Sequence, residues 1–381
     1  MSKKRGELAS SNGRYWPKKA WFAMVGVGLL GVVVGGLVIR EVWPEKEVRI
    51  VVKRGADFLA KGVYIALGDS YSAGEGLPPF QLGTESAPQG DRCHRSVSDG
   101  YPLLIWWDGM TERRFRACAG ADVRNIYDEV QKHSGVPSML GLQLEPDIMS
   151  DEVKLITITI GGNDVGFAKV LKFCALLFPP TDGCLNNEFD PYDDFKPDPT
   201  LDMWIDARLA QLADDLEILY GRLRAEAPED ARIIVLGYPS LFPEKLQFSC
   251  LGEFGLFNKT ERGGYIRYGA ALNDLIRERA LAADLEYIDT MSLFSTHEPC
   301  GAGGSDWMRF PSTNSIDGWF HPNETGQEKL ARAVLCYLDA HPGGANSAPE
   351  ATVSIDPVTK ECFESSDIFP APPAEADEPT P

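Results

Sequence analysis

Five short apolar runs, at residues 63–67, 115–118, 155–160, 233–236 and 285–288, recur along this chain, and two of the stretches between them, 201–225 and 260–283, repeat apolar residues at the period of a helix. A strand followed by a helix re-enters a sheet beside its predecessor in the same direction, because a tight hairpin is no longer available. The expected fold is therefore α/β: three layers, α/β/α, with a central, mostly parallel five-stranded sheet. Roughly 280 residues, 61–341, suffice for one large domain with insertions. Segment 173–199, with Cys174, Cys184, prolines and an acidic run, is the clearest insertion.

The flanks differ in character. Residues 20–39 carry no charge and would span roughly 30 Å as a helix, the thickness of a bilayer core. Lys3, Lys4, Arg5, Arg14, Lys18 and Lys19 precede them against Glu7 alone, a bias that keeps an N-terminus cytoplasmic. The expected order is a basic cytoplasmic segment (1–19), a single-pass transmembrane signal anchor (20–40), a stalk (41–60), the α/β domain (61–341) and a disordered acidic, Pro-rich tail (342–381). A cleaved signal peptide is the rival for 20–40, although Val38-Ile39-Arg40-Glu41-Val42 lacks a small-residue cleavage pattern. The membrane is thus an expected partner through the N-terminal helix, with the domain outside. Eight cysteines agree, since an even number in an oxidising compartment suggests disulfides. A net charge of −19 makes nucleic acid a poor partner.

Chemistry centres on Ala66-Leu67-Gly68-Asp69-Ser70, which sets a serine hydroxyl at the carboxyl end of the first strand. A serine needs a base to take its proton and donors to hold the oxyanion. Of five histidines (His94, His133, His297, His321 and His341), His321 stands in Gly318-Trp319-Phe320-His321-Pro322-Asn323, just before a helical pattern that Asn323 or Thr325 can cap. The strand at 155–160 ends in Gly161-Gly162-Asn163-Asp164, where Asn163 is either an oxyanion donor or a turn residue. Gly120, in Ala117-Cys118-Ala119-Gly120-Ala121, either presents a bare N–H or is a turn glycine. No Gly-x-Ser-x-Gly elbow surrounds Ser70, and no phosphate loop, His-Glu-x-x-His helix or Cys-x-x-Cys pair occurs, so no cofactor or metal is expected.

Taken in chain order, Gly68-Asp69-Ser70, Gly120, Gly161-Gly162-Asn163-Asp164 and His321-Pro322-Asn323 resemble the four motif blocks of the SGNH (GDSL) hydrolases. Cys93-His94-Arg95-Ser96 and the Cys118 segment resemble the secreted actinobacterial esterase and lipase branch. The resemblance implies Ser70 as nucleophile, His321 as general base and acid, and Ser70 N–H, Gly120 N–H and the Asn163 amide as oxyanion hole. Many members place an aspartate three residues before the histidine, but that position is Gly318 and Asp317 lies one residue early. The expectation is a Ser70–His321 dyad oriented by the carbonyl of Gly318 or a neighbour, with a triad through Asp317 as the alternative. Cys93–Cys118 and Cys174–Cys184 are the expected disulfides, the first tying the Ser70 region to the Gly120 loop; Cys250–Cys300 follows from the family pattern and leaves Cys336–Cys362. The expected activity is an extracytoplasmic serine esterase or lipase, monomeric and acting on an ester substrate, lipid or acylated sugar. The alternatives are a carbohydrate acetyl esterase and a non-catalytic surface binding protein of the same fold.

Overall fold

The computed structural model describes residues 51–52, 59–86, 90–177, 184–189, 199–244, 259–301, 306–309 and 318–342. The chain divides into two units, Met1–Glu47 and Val48–Pro381, the first wholly outside the described residues. The central sheet has five parallel strands: β1 (Gly62–Gly68), β2 (Met110–Phe115), β3 (Val153–Thr159), β4 (Arg232–Leu236) and β5 (Glu286–Ile288), in the spatial order β2-β1-β3-β4-β5. Every residue of β1 and β4 is buried, and all of β3 but Lys154. Parallel strands covered on both faces favour such largely apolar runs, interrupted here by Lys154 and the buried Thr157, Thr159 and Arg232.

Six helices matter to the site: α1 (Ser70–Ala73), α2 (Val123–Tyr127), α3 (Phe167–Leu177), α4 (Leu201–Glu226), α5 (Lys259–Ala282) and α6 (Glu324–Ala340). Along α4, Leu212, Leu216, Leu219, Tyr220 and Leu223 are buried, the stripe a 3.6-residue period presents to a sheet. Helix α4 packs against α2 and α5, while α6 packs against the short helix Tyr101–Leu104. Strand β1 leads to β2 on one side and is flanked by β3 on the other, so the connections diverge and open a crevice at the carboxyl ends of β1 and β3. That crevice positions the site.

The strand expected at 115–118 runs instead over Met110–Phe115. It is an edge strand with exposed Thr111 and Glu112 and half-buried Arg113 and Arg114, so no apolar run marks it. Residues 117–118 have already left the sheet, and Cys118 N–H donates to the Gly68 carbonyl at 3.0 Å. Part of the expected stalk also joins the domain: Val51–Val52 pairs in parallel with Ile105–Trp106. The described part of the 173–199 insertion builds a second apolar cluster, in which Phe189 meets Trp204 edge-on at 4.9 Å and Phe242 reaches Phe320 at 5.4 Å. The expected membrane segment 20–40 and the tail 343–381 lie outside the described residues; among those described, no helix is long and apolar enough to cross a membrane.

Candidate active site

Ser70 follows β1 through a turn that only glycine accommodates. Gly68 has φ +122°, and a Cβ there would lie 2.4 Å from the Thr159 carbonyl oxygen of β3. The Gln143 side chain clamps this residue, its Oε1 accepting the Gly68 N–H at 2.7 Å and its Nε2 donating to the Gly68 carbonyl at 2.8 Å. Asp69 then caps α1: its Oδ1 accepts the Tyr71 N–H at 3.0 Å and the Thr159 hydroxyl at 2.7 Å, while Oδ2 accepts the Tyr238 hydroxyl at 2.5 Å. Burial pushes the Asp69 carboxyl up to about 6, against the opposing pull of these donors. Ser70 is left as the first residue of a fixed helical turn.

The hydroxyl meets a histidine from the far end of the domain. His321 Nε2 lies 2.8 Å from Ser70 Oγ, and His321 Nδ1 lies 3.0 Å from the Trp319 carbonyl oxygen. A carbonyl only accepts, so Nδ1 carries its hydrogen towards Trp319 and Nε2 offers a lone pair to the Ser70 hydroxyl. The Gly318 carbonyl, expected to orient the ring, accepts the backbone N–H of His321 at 3.3 Å instead; the orienting group is the neighbouring carbonyl of Trp319. The tight turn 318–321, with Phe320 at φ +59°, folds that carbonyl back under the imidazole. Asp317 lies outside the described residues.

The His321 loop is anchored on every side. The Tyr71 hydroxyl donates to the Phe320 carbonyl at 2.7 Å, and Tyr71 packs against the His321 ring at 5.0 Å. Arg309 exchanges backbone bonds with Phe320 and His321 at 3.0 and 2.7 Å. Asn323 caps α6, accepting the Gly326 N–H at 2.9 Å. The buried Gln327 accepts the Tyr101 N–H at 2.8 Å and donates to the Tyr71 carbonyl at 3.0 Å, joining α6 to the helix that bears Ser70.

The two remaining candidate residues come from the loops after β2 and β3. Gly120 is exposed with φ +77°, and the Gln131 Nε2 donates to the Ala119 carbonyl at 2.7 Å, holding the peptide that carries the Gly120 N–H. Among the described residues, neither the Ser70 nor the Gly120 N–H donates to a protein acceptor. Asn163 Nδ2 donates to the Ala121 carbonyl at 2.9 Å, joining the two loops, and its second N–H remains available. Gly162 N–H donates to the Tyr238 hydroxyl at 3.1 Å, so one tyrosine bridges the Asp69 carboxylate and the Asn163 loop. Asp164 accepts the Val123 N–H at 3.1 Å, and its carboxyl is pushed up to about 8, by burial first and by Asp122 second.

Cys93–Cys118 and Cys174–Cys184 are disulfides, the first next to the Gly120 loop. Cys300 and Cys336 are also disulfide-bonded, and the partners expected for them, Cys250 and Cys362, lie outside the described residues. Among the described residues no cluster of His, Cys, Asp and Glu is placed to hold a metal. Trp319 is the neighbour of Gly318 whose carbonyl was expected as the alternative orienting group. Four residues of the site carry no motif: Tyr71, Gln143, Tyr238 and Gln327; Tyr71 directly follows Ser70 and Tyr238 stands just past the carboxyl end of β4, while the two glutamines have no positional signal.

The model of the GDSL-like lipase/acylhydrolase family matches residues 66–329. Lipase 1 of Streptomyces coelicolor is 30% identical over 264 residues, 69% of this chain and 82% of that protein. A lipase of Streptomyces rimosus is 30% identical over 282 residues, 71% of this chain and 85% of its own length. Among solved structures, phospholipase A1 from Streptomyces albidoflavus is similar with a TM-score of 0.51 and 27% identity, over 70% of this chain and 95% of that one.

Proposed function

Because the chain belongs to the GDSL-like lipase/acylhydrolase family and is an enzyme of the esterase and lipase type, we propose that it hydrolyses carboxylic esters through an acyl-serine intermediate on Ser70. The observation that carries this reading is the Ser70 Oγ to His321 Nε2 contact of 2.8 Å with Nδ1 held on a backbone carbonyl. His321 takes the Ser70 proton as the oxygen attacks the ester carbonyl, and the developing oxyanion is received by the Ser70 and Gly120 N–H groups and the Asn163 amide. His321 then returns the proton to the departing alcohol, and water repeats the sequence to release the acid. The Trp319 carbonyl holds the tautomer and stabilises the imidazolium, the role a carboxylate fills in a triad.

The lipases among the relatives support a lipid ester as the substrate. Beyond Asn163, Val165, Phe167, Val170, Leu185, Ile205 and Tyr265 pack into an apolar wall with space between them for no more than about one water. Action outside the cytoplasm is supported by the disulfides; anchoring through 20–40 rests on the charge-free run and its basic flank. Hydrolysis of nitrophenyl esters by wild type and Ser70→Ala tests the mechanism. The expected loss in kcat is on the order of 10⁴- to 10⁶-fold, and a Ser70→Ala chain that loses less than about 10²-fold overturns it.

A further inference from the structure

A second serine is held much as Ser70 is. Ser86 Oγ lies 2.9 Å from His94 Nε2, and His94 Nδ1 lies 2.7 Å from Glu75 Oε2. The carboxylate accepts at Nδ1, so Nδ1 carries its hydrogen and Nε2 presents a lone pair to the Ser86 hydroxyl. Where His321 has a carbonyl behind it, His94 has a full carboxylate. The base and the acid are buried, at 4% and 5% exposure, while Ser86 is exposed.

The relay is rigid. His94 stacks flat on Phe80, ring centres 4.6 Å apart and planes within 9°, and its backbone N–H donates to the Thr84 carbonyl at 2.8 Å. Glu75 Oε1 accepts the Gly76 N–H at 3.0 Å, which fixes the carboxylate plane. A brace for this loop does not need buried ionisable groups, since apolar side chains of similar volume are often as stable. Nucleophile, base and orienting acid within hydrogen-bond reach are what an activated serine requires.

We propose that Ser86, His94 and Glu75 form a second, slower nucleophilic centre that reacts with activated esters and phosphonyl fluorides. It does not depend on the reading of Ser70. The Ser86 oxygen bonds to the carbonyl carbon or phosphorus, its proton passes to His94 Nε2, and the bond to the leaving group breaks. With an ester, His94 returns that proton to the leaving alkoxide; with a phosphonyl fluoride, fluoride departs as the anion and the proton goes to solvent. The Ser86 N–H donates to no protein acceptor among the described residues and serves as the oxyanion donor, against three donors proposed at Ser70. Each missing donor lowers the rate by about 10²- to 10³-fold, so labelling is expected roughly 10⁴-fold or more slower than at Ser70.

The test is overnight labelling of the full Ser70→Ala chain with a fluorophosphonate, followed by digestion after glutamate and mass spectrometry. Cleavage after Glu85 separates Ser86 from position 70. The expected result is an adduct on the Ser86 peptide that is absent from Ser70→Ala/Ser86→Ala and at least about tenfold slower with Glu75→Gln or His94→Gln. Glu75→Gln keeps an acceptor for Nδ1, so it tests the charge without emptying the site, and a thermal melt verifies that each variant is folded. No adduct on Ser86, or one formed as fast in both relay variants, overturns the proposal. Labelling of Ser70 in wild type is read on its own peptide, so the failure of one centre is distinguishable from the failure of the other.

Discussion

Replacing Tyr238 with phenylalanine removes a hydroxyl that donates to Asp69 Oδ2 at 2.5 Å and accepts the Gly162 N–H at 3.1 Å. Asp69 is 1% exposed and Tyr238 6%, so neither orphaned group is left facing solvent. A bond to an ionised carboxylate contributes about 1.5–3 kcal/mol, one between neutral groups about 0.5–1.5 kcal/mol, and a stranded N–H costs about 1–3 kcal/mol. Protonation of Asp69 decides which value applies. Its carboxyl sits at about 6, above the ordinary 3.8, because burial outweighs the bonds from Tyr238, Thr159 and Tyr71. The folded chain therefore keeps a proton that the unfolded chain has lost between about pH 4 and pH 6, and stability falls as pH rises through that window. The Tyr238→Phe substitution removes the largest of the opposing bonds and extends the window upward. The expected destabilisation is about 2–4 kcal/mol at pH 5, where the lost bond is to a neutral carboxyl, and about 1 kcal/mol more at pH 8. Urea unfolding of wild type and Tyr238→Phe at both pH values measures the difference directly. An equal loss at the two pH values, or a larger one at pH 5, refutes the linkage between Tyr238 and the Asp69 charge.

Three further outcomes follow from the same geometry. Gly68→Ala forces a side chain at φ +122° against the Thr159 carbonyl, and the urea midpoint is expected to report a loss of at least about 3 kcal/mol; a smaller loss means the β1 turn is not strained. The raised Asp164 carboxyl, at about 8, makes wild-type stability fall between about pH 4 and pH 8, so Asp164→Asn is expected to gain in melting temperature relative to wild type on going from pH 5 to pH 9. Converting Cys93 and Cys118 to serine opens a loop with a sequence separation of 25, for an expected loss of about 3.5 kcal/mol in unfolding, and ester turnover should fall as the Gly120 loop loosens.

The sheet was legible because burial on both faces leaves a direct trace: β1 and β4 are apolar almost throughout, β3 carries β-branched Ile and Thr in its buried stretch, and the period of α4 and α5 marks what covers them. Strand β2, an edge strand with Thr111 and Glu112 in solvent, has no such trace, and the apolar run at 115–118 overlaps only its last residue. Ser70, Gly120, Asn163 and His321 could be named because each sits in a short motif beside a strand end or helix start. Trp319 contributes a carbonyl, which every residue has, so no residue type could announce it. Gln143 and Gln327 act across 75 and 256 residues of chain through single amides, with neither period nor motif around them. What the residue pattern carried was the local geometry; what it lacked was the identity of partners brought in from far along the chain.

Ser70 and His321 are 251 positions apart, and Gln327 locks the later part of the chain onto the earlier. During synthesis, Ser70 emerges long before His321, the base of the proposed mechanism. A chain ending before residue 321 lacks the imidazole that the 2.8 Å contact brings to Ser70. Contacts of such long range also form late and slowly. On the proposed mechanism, docking of α6, which Gln327 ties to the helix bearing Ser70, is therefore the step that completes the reactive pair.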